Sequence, residues 1–201
     1  MRIDGRKTID STTIFRIEES RAVGGRFLQL ARTARDQGEI DPVSVYIVER
    51  AESIALLQLS LMCLYCVRYS ELKQLDLKHI SKGRDFSITQ KKTGHVRRVV
   101  QPTEFNQSHF EGLPLDVDVD LVEYHALKRC INIALPDPIR EALRECNSST
   151  HVFRHLRASW LYAHGCSPEE IRIFFNHESL SATRSYIHEG IDFHGTIKSE
   201  R

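Results

Sequence analysis

His151, Arg154, His177 and Tyr186 lie in the C-terminal third of the chain, and their types are those that phosphoryl transfer uses. A phosphodiester is an anion and resists attack until its charge is neutralised, which fixed Arg and His donors around the non-bridging oxygens can do without a metal. A tyrosine can then be the nucleophile. A free phenol has a pKa of about 10, so roughly one in a thousand is ionised at neutral pH, a deficit of about 4 kcal/mol that a cationic pocket can remove. The set fits attack on phosphorus through a covalent phosphotyrosine.

Local signals place these side chains on a three-helix unit. Ser148, Ser149 and Thr150 offer N-cap oxygens and Gly165 suits the left-handed position after a helix, so 151–164 reads as one helix with His151, Arg154 and His155 sharing a face. Ser167-Pro168-Glu169-Glu170 combines an N-cap serine, a proline at the first helical position and a glutamate at the third, which opens a second helix running to about Phe175. His177 then sits in a turn. A third helix from about Ser179 to His188 carries Tyr186 near its end, before Gly190 stops it.

His151-Val-Phe-Arg154-His155, then His177, then Thr183-Arg-Ser-Tyr186 nine residues later resembles the C-terminal box of the tyrosine recombinase (phage integrase) family. A second segment extends the likeness: Arg68-Tyr-Ser-Glu71-Leu resembles the first family box, where the arginine grips the scissile phosphate and Glu71 would orient it. The family has Gly-Leu before that arginine. Here Cys66-Val67 stands there, a change expected to touch packing. The family also has glycine before the second histidine, where this chain has Asn176, the residue that best tolerates left-handed backbone in glycine's place.

Around these boxes the chain reads as follows. Residues 1–17 are polar and suggest an extended arm. A helix is expected from about Glu18 to Asp36, with Arg21, Arg26, Arg32 and Arg35 on a face that is solvated or touches phosphate. Asp41-Pro42 opens a long apolar run to Cys66, expected to be the central buried helix. Cys63 and Cys66 form a CxxC without a partner pair at zinc spacing, so core packing is the expectation, and the five cysteines suit a reducing compartment. From Asp76 to Pro102 the apolar period becomes two, at Leu77, Phe86, Ile88, Val96, Val99 and Val100, with Thr93-Gly94 as a turn, which predicts a small antiparallel sheet. Between Lys82 and Arg98 this hairpin carries six Lys or Arg against one Asp, and Lys82, Arg84, Lys91, Arg97 and Arg98 are the expected contacts to a nucleic-acid backbone. The acidic stretch 111–123 reads as a solvated loop. Helices at 123–134 and 138–145 follow and support the box at 151.

The resemblance covers residues 18–190 and implies the family's catalytic-domain fold, mostly α with a small antiparallel sheet on one edge. It implies a site-specific recombinase that cleaves and rejoins DNA through a 3′-phosphotyrosyl intermediate, with no cofactor, metal or ATP. In that reading Tyr186 attacks, Arg68 and Arg154 hold the non-bridging oxygens, His151 assists proton transfer and His177 donates to the transition state. Lys92, with Lys91 as the alternative, protonates the leaving 5′ oxygen. The implied partners are double-stranded DNA at a specific site and further copies of the chain, a monomer in solution becoming a homo-tetramer in the synapse, with accessory DNA-bending proteins also allowed for. The tail 191–201, with Ile191, Phe193 and Ile197, either docks on a neighbouring protomer or folds back. Overall size is like that of the short fimbrial phase-switch recombinases, although a fragment of a longer integrase would look the same. Lys and Arg total 28 against 27 Asp and Glu, so net charge announces no nucleic-acid partner by itself. No apolar run spans a membrane and no signal peptide is seen, which makes the expected location cytoplasmic, at the nucleoid. Two alternatives stay open. One is a DNA-binding accessory or regulatory protein that keeps the fold without turnover, and the other is relaxation of DNA like that of a type IB topoisomerase.

Overall fold

The computed structural model describes residues 11–90, 94–144, 146 and 149–199. It is mostly helical with one two-stranded antiparallel sheet. In chain order the elements are α1 (Ser11–Asp36), α2 (Pro42–Glu49), a 3-10 turn (Ser53–Ala55), α3 (Leu56–Tyr65), a 3-10 helix (Tyr69–Gln74) and α4 (Leu77–Ile80). The strands β1 (Phe86–Thr89) and β2 (Val96–Val99) come next, then a 3-10 turn (Gln107–Phe110), α5 (Tyr124–Ala134) and α6 (Asp137–Ala142). A 3-10 turn (Ser149–His151) leads into α7 (Val152–Ala163), and α8 (Pro168–Phe175), α9 (Leu180–Arg184) and α10 (Phe193–Ser199) complete the chain. No helix among the described residues is long and apolar enough to cross a membrane.

α3 is the buried centre. Every residue from Leu57 to Tyr65 is enclosed, and α1 lies across it with Val23, Phe27, Leu30, Ala31 and Ala34 facing in. The two backbones approach so closely at Gly24 that a Cβ there would stand 2.6 Å from the Leu57 nitrogen. Ser60 Oγ donates to the Gly24 carbonyl at 3.2 Å across the same crossing.

The expected single helix from Asp41 to Cys66 is two helices. α2 starts as predicted, with Asp41 accepting from Ser44 N at 2.7 Å and Pro42 in the first turn, but it ends at Glu49. Glu52 is extended (φ −57°, ψ 140°) and the chain restarts at Ser53. Arg50 closes α2 with its guanidinium 3.4 Å from the centre of the Tyr46 ring. The break lets both apolar pieces bury their surfaces against α1, which one straight rod could not do.

The sheet begins later than predicted, because Leu77 belongs to α4, capped by Asp76. Its register pairs Phe86 with Val99, Ile88 with Arg97 and Thr89 with Val96. Alternation therefore puts Ile88, Arg97 and Val99 on the inner face, and Val96 and Val100 are exposed rather than core. The acidic loop is pinned by lysines, Lys73 Nζ to Asp120 at 2.7 Å and Lys78 Nζ to Asp116 at 2.6 Å.

Three boundaries also move. Helix α1 already runs from Ser11, so the expected extended arm fails over 11–17, while residues 1–10 lie outside the described residues. Helix α6 ends at Ala142 rather than near 145, and α9 ends at Arg184, leaving Tyr186 in the turn beyond it. The tail folds back on its own chain, with Phe193 buried edge-on to Trp160 at 5.2 Å and α10 packed on α2.

Candidate active site

Arg68 is delivered by the end of α3. The helix stops because Cys66 takes left-handed backbone (φ 50°, ψ 37°), and Arg68 then heads the 3-10 helix that contains Glu71. Glu71 is buried and receives both the Arg68 main-chain N–H and its guanidinium Nη1, each at 2.8 Å. Glu71 therefore holds the Arg68 guanidinium against the start of its own 3-10 helix. The change from Gly-Leu to Cys66-Val67 proves to concern backbone conformation first, since Cys66 occupies a region that glycine enters without cost.

Arg154 and His151 come from the start of α7. Its N-cap is His151 rather than one of the preceding hydroxyl residues, and Ser148 lies outside the described residues. The Arg154 side chain turns inward at 1% exposure, donating Nη1 to the Cys66 carbonyl at 2.9 Å and Nη2 to His177 Nε2 at 3.1 Å. Its Nε is buried without a partner. The guanidinium also lies 4.6 Å from the centre of the Phe175 ring, a cation–π contact.

His177 follows α8, which has the predicted Ser167–Glu170 capping box and Pro168 in its first turn. Asn176 ends that helix in left-handed backbone (φ 51°, ψ 50°), the conformation its residue type suggested. Arg172 Nη1 then donates to the His177 carbonyl at 3.0 Å, and the Asn176 side chain donates to Val96 O at 3.3 Å. Gln90 ties the hairpin to the same turn by donating to Phe175 O at 3.2 Å. Because arginine only donates, the Arg154 bond makes His177 Nε2 an acceptor. The proton must then sit on Nδ1, which faces Thr183 Oγ1 at 3.1 Å.

Tyr186 is half-buried, with its hydroxyl 3.1 Å from His151 Nδ1. Its ring stacks on His177 at 5.0 Å, and His155 lies 4.5 Å away on the other histidine-bearing helix. Tyrosine, two histidines and Arg154 thus meet as the motif spacing implied. Arg68 acts on the group through its charge: with burial as the first cause, Arg154 and Arg68 together lower the pKa of His151 and bring that of His177 down to about 4. Burial first, then the charges of Arg68 and Arg97, hold Arg154 below the ordinary guanidinium range.

Lys91 and Lys92 lie outside the described residues. Lys82, Arg84 and Arg98 are exposed, as backbone contacts to a nucleic acid require, with Arg98 paired to Asp85 at 2.7 Å. Arg97 is a correction. It is buried on the inner sheet face and donates to Tyr65 O at 2.9 Å, because strand alternation sets it beside Val99 rather than beside Arg98. The helix α1 arginines sit largely in solvent, with Arg32 paired to Glu49 at 2.8 Å. Cys63 and Cys66 are core residues, as expected.

Sequence reading assigned no role to Thr183, His155 or Phe175. Thr183 was visible inside the Thr-x-x-Tyr motif, and an oxygen three residues before the tyrosine on a short helix is a signal for a contact to the histidine ahead of it. Comparisons of the chain with models of protein families, with curated proteins and with solved structures find no match.

Proposed function

We propose that the chain breaks and rejoins DNA through a covalent link between Tyr186 and a backbone phosphate, in the manner of a tyrosine recombinase. The observation that carries this reading is the Tyr186 hydroxyl hydrogen-bonded to His151 beside a cluster of arginines. Arg68, Arg97 and Arg154 act on one another there, and Glu71 is the carboxylate that reaches them. A buried guanidinium with an orphan Nε, in a cluster with more positive than negative charge, is suited to an anion.

In the proposed reaction the phenol oxygen attacks phosphorus and its proton passes to neutral His151 Nδ1. The P–O bond to the 5′ oxygen breaks as the P–O bond to Tyr186 forms, so one ester replaces another and the bond energy is retained. Attack by a 5′ hydroxyl reverses the step without ATP. The leaving oxygen's proton is assigned to Lys92 on the resemblance alone.

A second line of support comes from the backbone. Two non-glycine residues among those described have positive φ, Cys66 and Asn176, and these are the positions where the family pattern has glycine. Left-handed backbone at both positions supports the likeness, since glycine enters that region without cost.

One observation favours the accessory reading, DNA binding without turnover. Arg154 turns two of its five donors inward and His177 Nε2 has no proton to give, so both must rearrange before they can serve a phosphate. A single experiment separates the readings. A site is selected from random duplexes by the protein's own binding, built as a nicked suicide substrate and incubated with wild type and Tyr186→Phe. A denaturation-resistant adduct is expected from wild type and none from the variant. Binding without any adduct supports the accessory protein, and an adduct from Tyr186→Phe rejects Tyr186 as nucleophile.

A further inference from the structure

Behind Tyr186 a second cluster of side chains converges that phosphoryl transfer does not use. Cys146 Sγ lies 3.6 Å from His188 Nε2, and His188 Nε2 lies 2.9 Å from His155 Nδ1. All three donor atoms fall within 4.8 Å of one another. A tetrahedral zinc ion with Zn–N of about 2.0 Å and Zn–S of about 2.3 Å spaces two nitrogens about 3.3 Å apart and a nitrogen and sulfur about 3.5 Å apart. The Cys146–His188 distance is within about 0.1 Å of this spacing, the two imidazoles need to separate by about 0.4 Å, and the Cys146 and His155 donor atoms lie within 4.8 Å of each other.

The two histidine-bearing segments are tied together through their backbones. Ser159 Oγ donates to the His155 carbonyl at 2.8 Å and accepts the His188 main-chain N–H at 2.8 Å, so one hydroxyl one turn along α7 holds both histidine-bearing segments. His155 is buried, whereas Cys146 and His188 are half-buried, which leaves the cluster reachable from solvent. Their separations of nine and 33 residues match no local zinc motif.

We infer that Cys146, His155 and His188 form a binding site for a zinc-class transition-metal ion, beside but separate from the Tyr186 pocket. One thiolate with two imidazoles selects zinc-class ions over calcium or magnesium, which take oxygen ligands. On binding, the Cys146 thiol releases its proton to solvent as the S–Zn bond forms. The imidazole that donates in the present His155–His188 hydrogen bond moves its proton to its other nitrogen, and the hydrated ion sheds all of its waters but one as it passes from octahedral to tetrahedral coordination. Occupancy would join the segment before α7 to the segment two residues beyond Tyr186.

The test uses the full chain, zinc chloride and a competing chelating indicator, with no DNA, so its outcome is independent of the phosphotyrosine reading. One equivalent of zinc is expected to bind with submicromolar Kd. Cys146→Ser and His188→Ala, both at half-buried positions, are each expected to weaken binding by about 100-fold or more, while Cys130→Ser leaves it unchanged. Cobalt is expected to give a thiolate-to-metal charge-transfer band in wild type that Cys146→Ser abolishes. Zinc is also expected to raise the thermal midpoint of wild type and not that of Cys146→Ser. Failure of wild type to bind zinc, or binding by Cys146→Ser and His188→Ala as tight as that of wild type, would overturn the site.

Discussion

His177 cannot donate from Nε2 while Arg154 occupies that nitrogen's lone pair. Thr183 maintains this state from the other side of the ring by meeting Nδ1, and its own hydroxyl donates to Ser179 O at 3.3 Å. Thr183→Val keeps the shape and removes the acceptor, leaving a buried N–H without a partner. A loss of about 1–3 kcal/mol in urea unfolding is expected. Nitrogen-15 spectra of His177 are expected to show the Nδ1–H tautomer in wild type and a mixed population in the variant. An Nε2–H ring in wild type would remove Thr183 from this role. The four chemical residues of the C-terminal unit could be read from the sequence because their spacing is short and motif-like. The inward placement of Arg97 could not, because it depends on which way a two-stranded ribbon faces.

At the scale of elements, the boundaries that sequence located best are those with local chemistry. Ser167-Pro168-Glu169-Glu170 opens α8 as read, and Gly165 takes φ 88° just after α7. The break between α2 and α3 was missed because Glu49-Arg50-Ala51-Glu52 contains no glycine or proline and every residue there is compatible with a helix. What breaks it is tertiary, the demand that two apolar segments both reach α1. The C-cap at Asn176 gives an element-scale test, since it sets the hand of the turn that presents His177. Asn176→Gly is expected to leave stability within about 0.5 kcal/mol of wild type, the lost Asn176–Val96 bond offset by relief of backbone strain. Asn176→Ala is expected to cost about 1–2 kcal/mol, because alanine in left-handed backbone has neither glycine's freedom nor the amide's hydrogen bond. Equal stability of the two variants by chemical denaturation would mean that the turn can relax into another conformation.

For the molecule as a whole, enclosing four histidines around one tyrosine makes the fold sensitive to acid. Burial, followed by His188, His151 and Arg154, brings the pKa of His155 to about 3, and burial followed by Arg154, Arg68 and Arg97 brings that of His177 to about 4. Burial also lowers those of His151 and His188. In the unfolded chain the same rings charge near pH 6.5. Between about pH 6.5 and pH 4 the unfolded state therefore holds more protons, and stability must fall as the solution is acidified. The contribution of these rings is complete above the unfolded pKa and disappears as pH drops toward the folded values. Each ring can contribute at most about 1.4 kcal/mol per pH unit, so moving from about pH 7.5 to about pH 5 is expected to cost on the order of 2–4 kcal/mol. Urea midpoints measured with a chelator present, to exclude metal linkage, check this. His177→Asn is expected to flatten the profile over that window. A wild-type midpoint that stays constant from about pH 7.5 to about pH 5 would mean that the rings charge inside the fold as they do in the unfolded chain, and the neutral His151 required to take the Tyr186 proton would then be lost below about pH 6.5.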